Sequence, residues 1–302
     1  MKEQTKFNAG AKTALFSAAL IWGSSFFIMK NAVAVLPTNL LLGIRFTVGC
    51  ILLSLIFHKR LKNLTKAYFL RGFVIGLFLY LAYFFQTIGL RETTPGKNAF
   101  LTAIYCVIVP FLFWIVNKSK PDIFNYLAAV MCVAGIGLVS LSGDLTVSIG
   151  DLFTLIGGFF FAAHMVAVAK LVKNRDPIVI TILQFGFFAV ISWIVFLFTE
   201  KMPPASVWDT GTFLELFYLA FFATTAALLL QNIGQTYTHP SAAAIILSLE
   251  SVLGVVFSMI FYGEQLTLKL AMGFVLIFVA IIVSETKLSF FKRKTSCKEK
   301  SI

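Results

Sequence analysis

Ten times along this chain a run of about 20 mostly apolar residues appears, each bounded by charged or proline-containing segments. At 1.5 Å rise per residue, such a run crosses a hydrocarbon core about 30 Å thick. The runs fall roughly at 13–35, 38–57, 68–90, 96–116, 122–141, 150–172, 178–198, 212–235, 241–262 and 267–286. Hydrocarbon offers no partner to a peptide group, so a spanning segment must satisfy its own backbone as a helix. The expectation is an all-α polytopic membrane protein of ten transmembrane helices. Composition agrees: 59% of residues are hydrophobic and 13% charged, where a soluble domain is about a quarter charged.

Punctuation and charge refine the layout. Pro37, Pro95, Pro121, Pro177 and Pro240 stand at or just before a helix start, where a missing N–H costs nothing. Pro110 is interior and predicts a kink in the fourth helix. With the N-terminus placed in the cytoplasm, 19 Lys and Arg fall in inside segments and 4 in outside ones. That asymmetry puts both termini inside. The same clustering argues against a nucleic-acid groove despite the net charge of +12. The run from Ala14 to Leu36 is too long for a signal h-region and reads as a retained first span. Cys50, Cys106, Cys132 and Cys297 form no CxxC pair, which argues against a metal site or disulfide framework.

The chain repeats itself. At an offset of 145 residues, QTIGLRETTPGKNAFL from Gln86 and QNIGQTYTHPSAAAII from Gln231 share six identities in sixteen. Five spans per half is an odd number, so the second half enters the membrane from the opposite side. Inverted repeats of this kind recur in secondary transporters, with the site near the midplane between halves. The expected units are a first five-helix repeat over 1–145, a second over 146–287, and a basic cytoplasmic tail over 288–302.

Three segments carry a family resemblance: WGSSFFIMK in the first span, RF in the second, and LSLESVLGVVFSMIFYGEQLT in the ninth. They resemble the EamA-type permeases of the drug/metabolite transporter superfamily, whose ninth span reads Leu-Glu-Pro-Val, a small and apolar stretch, then Gly-Glu. Leu249, Glu250, Val252, Gly263 and Glu264 match, and Ser251 stands where proline is usual. The first half departs further, with Lys118-Ser119 in place of Gly-Glu and Tyr105 at the position matching Glu250. The resemblance implies a ten-helix permease that moves small metabolites, amino acids or drug-like molecules across a bacterial inner membrane. It also implies export, with helices three, four, eight and nine opening one side or the other.

Charges inside the spans are the sharpest functional signal. A carboxylate at a helix centre costs roughly 3 kcal/mol on insertion scales. The run 241–262 has eleven Leu, Ile, Val or Phe to offset Glu250. Glu250 lies ten residues past Pro240 and Arg45 eight past Pro37, about 15 and 12 Å in from opposite sides. Three readings stand: the two pair and brace the bundle; they contact substrate, Arg45 taking a carboxylate or phosphate and Glu250 an amine; or Glu250 carries a coupling proton.

Around them, helical stripes offer a lining for an organic solute: Trp22, Tyr80, Tyr83, Asn98, Tyr105, Gln231 and Asn232. His164 is a lone histidine in an apolar helix, read as packing or as ligand. Lys30, near the outer end of the first span, is expected to snorkel.

The spacing excludes several chemistries. The chain has no HExxH, GxSxG or P-loop, and no filter-like TVGYG loop. The expectation is a secondary transporter, an exporter of small organic metabolites such as amino acids, working by alternating access without ATP hydrolysis, cofactor or metal. The alternative is a polytopic intramembrane enzyme acting on a small or lipid-like substrate. The partners expected are a small-molecule substrate and the lipid bilayer, with no nucleic acid; monomer and homodimer both remain open.

Overall fold

The computed structural model describes residues 2–118, 120–141, 148–172, 175–236 and 240–287; of side chains, those of residues 2–9, 63, 232, 233, 235, 236 and 240–245 are also outside the description. The expected tail 288–302 therefore lies outside it. Among the described residues ten apolar helical spans follow one another. They are α1 (Lys2–Val35), α2 (Thr38–Ile56), α3 (Lys66–Glu92), the broken span α4 (Pro95–Thr102) and α5 (Tyr105–Asn117), α6 (Ile123–Ser140), α7 (Ile149–Leu171) and α8 (Pro177–Thr199). The eighth joins α9 (Thr210–Phe217) and α10 (Ala227–Thr236) through a π-helical stretch, Tyr218–Ala226. The ninth is α11 (Pro240–Phe257), ending in π-helical Ser258–Tyr262; the tenth is α12 (Leu268–Thr286).

The fourth span differs from expectation. Pro110 sits inside α5, and the helix breaks earlier, at Ala103–Ile104. There the amides of Cys106 and Val107 bond three residues back, to Ala103 and Ile104. A proline removes the bond to the carbonyl four residues before it and crowds that carbonyl. For Pro110 that carbonyl belongs to Cys106, the residue whose own amide has slipped to the tighter pattern.

The packing of spans carries the repeat. Span one lies on eight and nine, two on seven and eight, three on six and seven, four on six and nine, and five on ten. Exchange of the halves turns one–nine into six–four, one–eight into six–three, and two–eight into seven–three. It leaves two–seven, four–nine and five–ten as they are. The contact pattern thus has the pseudo-twofold expected of two inverted five-helix repeats. The backbone shows it too: Lys118 and Gly263, 145 residues apart, end their helices in the same left-handed conformation, at φ 56° and 73°.

Small residues let the halves approach. A Cβ on Gly273 would come within 2.6 Å of Val139, and Gly135 faces Ile277 equally closely, so spans five and ten meet nearly backbone to backbone. The outer surface is apolar, Phe198 being 85% exposed and Leu268 78%. So large an apolar exterior fits lipid rather than water.

Ten spans place Lys2 and Lys287, the first and last described residues, at one end of the bundle, the near end; the other is the far end. Polar side chains gather at both. At the near end Asp122 caps α6, accepting from the amides of Phe124 and Asn125, and pairs with Lys287 at 2.6 Å. Burial pushes its pKa up, but the Lys287 ammonium and those amides outweigh it and hold the carboxyl below its usual value of 3.8. At the far end Glu200 accepts from the amides of Asn39 and Leu40 and from the Asn39 side chain, capping α2 from the end of α8.

Two outcomes follow from this packing. Gly273→Val forces α6 and α12 apart and lowers thermal stability in detergent by roughly 1–3 kcal/mol, the usual cost of overpacking. Asp122→Asn keeps the cap and removes the charge. A depressed folded pKa contributes stability above the unfolded value and loses it as pH falls through the folded one. The variant therefore melts lower than wild type at pH 7, by no more than about 1 kcal/mol for so exposed a pair. The gap closes below the ordinary carboxylate range.

Candidate functional site

Arg45 is buried on α2, 3% exposed. Its Nε and Nη2 both donate to Thr224 Oγ1, at 3.2 and 3.1 Å, and Nη1 approaches Met29 Sδ at 3.2 Å. The guanidinium also stands 5.5 Å from the Tyr83 ring centre, a cation–π distance. Thr224 lies in the π-helical stretch, where its own hydroxyl donates five residues back to Leu219. Wide turns of this kind gather at functional sites. Here one leaves Thr224 Oγ1 free to accept from a buried cation.

Glu250 is buried on α11 and accepts from Tyr105 Oη at 3.3 Å. These two positions are 145 residues apart, the offset of the repeat. Residues that a twofold exchanges can touch only at the axis, so the Tyr105–Glu250 bond marks it. Among the described residues no carboxylate comes within 4.0 Å of Arg45, and no cation that close to Glu250. The two are not an ion pair, and the reading in which they brace each other is corrected. Each has found polar partners of its own, Arg45 in Thr224 and the Tyr83 ring, Glu250 in Tyr105.

Beside Arg45 is a chamber of about 30 Å³ bounded by Trp22, Tyr83, His164, Gln184 and Thr224, with Phe46, Leu79, Phe185, Ala223 and Leu228. That is room for about one water. His164 Nε2 meets Gln184 Oε1 at 3.1 Å, and Trp22 Nε1 donates to the Ala223 carbonyl at 2.7 Å. Phe161 joins this chamber to the axial pair, 5.1 Å from Tyr83 and 6.2 Å from Tyr105 between ring centres.

The structure thus gathers Trp22, Arg45, Tyr83, Tyr105, His164 and Glu250. Gln231 is half-buried on α10, a turn past Leu228. The side chain of Asn232 lies outside the described residues. Tyr80 is elsewhere: it donates to Asn39 Oδ1 at 2.8 Å, beside the Glu200 cap. Asn98 ties three helices together through Thr154 Oγ1 and the Gln86 carbonyl. Lys30 reaches the far end, where it donates to the carbonyls of Leu90, Arg91 and Thr93 and so satisfies the last turn of α3. Thr224 shares the helical stripe of Gln231 that the sequence offers as lining, whereas Gln184 and Phe161 are additions from the structure. Gln184 carried a signal, a lone amide in the apolar run VITILQFGFF.

A ten-span inverted repeat around a buried polar chamber defines a multi-pass membrane transporter. The family comparison agrees: the model described as EamA-like transporter family matches residues 11–141 and again 148–286. The chain belongs to the EamA-like transporter family. An uncharacterized transporter of Archaeoglobus fulgidus is 34% identical over 277 residues, 90% of this chain and 85% of that one. The uncharacterized transporter YvbV of Bacillus subtilis is 27% identical, covering 91% of this chain and 92% of its own length. A solved crystal structure shares the fold at a TM-score of 0.66 with 16% identity, over 91% of this chain and 96% of the other. Membership of a transporter family sets aside the intramembrane-enzyme alternative.

Thr224→Val removes two hydrogen bonds from a buried cation and costs about 1.5–3 kcal/mol. Thr225→Val removes one neutral bond to the Ala220 carbonyl and costs about 1 kcal/mol. Paired thermal melts of the purified variants check the difference.

Proposed function

We propose that the chain is a secondary exporter of small organic metabolites, amino acids or related compounds, working by alternating access without ATP hydrolysis. The near end, with both termini, faces the cytoplasm of a cell whose plasma membrane holds the protein. This orientation rests on the 19-to-4 distribution of Lys and Arg. The single observation that supports the substrate reading is the separated pair of buried charges. Arg45 and Glu250 each bear the cost of burial without cancelling the other, on opposite halves and each with neutral polar partners. A solute with an anionic group toward Arg45 and an amine toward Glu250 relieves both. The aromatic walls suit a partly apolar body. A chamber of about 30 Å³ is too small for such a solute, so the halves must part to admit it.

The test is metabolite profiling of cells overexpressing wild type, Arg45→Gln and Glu250→Gln, followed by efflux from proteoliposomes with the solutes found. Both variants are expected to reach the membrane at wild-type levels and to export at less than about a tenth of the wild-type rate. A tenth corresponds to losing about 1.4 kcal/mol, less than a typical hydrogen bond to a charged group. Unchanged export by both variants overturns the assignment of the site. Retained export by Glu250→Gln with loss of pH dependence transfers Glu250 to proton coupling.

A further inference from the structure

Glu264 follows the left-handed Gly263 at the far end. Its carboxylate accepts from the Thr94 hydroxyl, from the Gly96 amide at 2.9 Å and from the Ser258 hydroxyl at 2.5 Å. Thr94 and Gly96 begin α4, in the first half; Ser258 and Glu264 end the ninth span, in the second. One carboxylate therefore joins the two repeats, at a helix N-terminus whose unbonded amides and dipole favour an anion. Directly beneath, the helices touch without spare room. A Cβ on Gly96 would meet Val255 at 3.1 Å, one on Gly254 would meet Ala99 at 2.6 Å, and one on Gly23 would meet Leu253 at 2.6 Å. Above, a recess of about 390 Å³ opens outward, with Thr94 and Tyr262 in its wall. Of the carboxylate's partners Thr94 is partly exposed on that side while Gly96 and Ser258 are buried, and Tyr83 of the chamber lies nine residues deeper along α3 than Glu92, its last residue.

We propose that Glu264 is a latch that holds the far mouth shut, and that its release from α4 is the step that opens the chamber on that side. The inference rests on the alternating-access reading above. The sequence does not repeat the device: 145 residues earlier stand Lys118 and Ser119, with no acid. Among the described residues the ion pairs between the halves at the near end, Asp122–Lys287 and Arg60–Asp176, are partly exposed, so the latch biases the resting protein toward the state closed at the far end. Glu264 is a positioning residue in this scheme and touches no solute.

The test reads access rather than transport. Val255→Cys, a near-isosteric change just below the latch, is introduced into the full chain after its four native cysteines are replaced. A membrane-impermeant thiol reagent is then applied to intact cells and, separately, to inside-out vesicles. With Glu264 present, the introduced thiol is expected to be protected from the far-end side. Glu264→Ala is expected to speed far-end labelling at least about tenfold, the scale set by losing one charge-assisted hydrogen bond. Thr94→Val and Ser258→Ala give smaller increases. Unchanged far-end labelling in Glu264→Ala that is monodisperse in detergent overturns the latch. If Glu264→Ala does not fold, Glu264→Gln decides on the same terms, since it keeps one acceptor oxygen and loses the charge. Labelling needs no solute: a chain that moves no metabolite yet opens on loss of Glu264 refutes the carrier reading and leaves the latch standing.

Discussion

A peptide group in hydrocarbon has no partner but the chain itself, and this constraint organises the whole molecule. Helices meet it along their length and fail it at their ends, where amides and carbonyls of the terminal turns stay open. The polar residues of this chain are spent there. Asp122, Asp176, Asp209, Ser148 and Thr267 each accept from the first amides of their own helices. Glu200 and Glu264 do the same for helices of the other half. Lys30 and Arg91 close carbonyls at the far end. What is left inside the bilayer is a short set, and its members stand out because the constraint has removed the rest.

Within that set the pseudo-twofold separates two kinds of residue. Tyr105 and Glu250 exchange places under the symmetry and touch, so their contact survives whichever half is taken as the first. Arg45 has no such self-partner and leans on Thr224 and Met29. The chamber is therefore built off the axis, with Phe161 joining it to the axial pair.

Most of the scaffold was legible in the sequence, for physical reasons. Hydrophobic length is set by the bilayer, and proline marks helix starts because it lacks an amide, so spans and boundaries could be read with little ambiguity. The offset of 145 residues was visible around Gln86 and Gln231, and it reappears as the distance between Tyr105 and Glu250 along the chain. Neighbours were less legible. Tyr80 and Tyr83 share a helical face, yet a turn of separation sends one hydroxyl to Asn39 and the other ring to Arg45. Matching depth suggested that Arg45 and Glu250 could meet; depth along two helices does not fix the distance between their axes, and each side chain turns to a different partner, Thr224 for one and Tyr105 for the other. The break at Ala103 escaped because Pro110 names a disturbed carbonyl, not the place where the backbone gives way. Glu264 was recognised only as part of a motif, since nothing in Gly-Glu says which helix end the acid will cap.

The wide turns of the eighth span have a consequence for how this chain can vary. A π-helical turn holds roughly one residue more than an α-helical one, and Tyr218–Ala226 is built of such turns. Removing a single residue there would tighten the coil without rotating the faces of α9 or α10, whereas the same deletion in a regular α-helical span swings every later side chain by about 100°. The stretch that presents Thr224 is thus a point inside the bundle where an insertion or deletion can be absorbed locally, at the expense of the hydroxyl that Arg45 leans on.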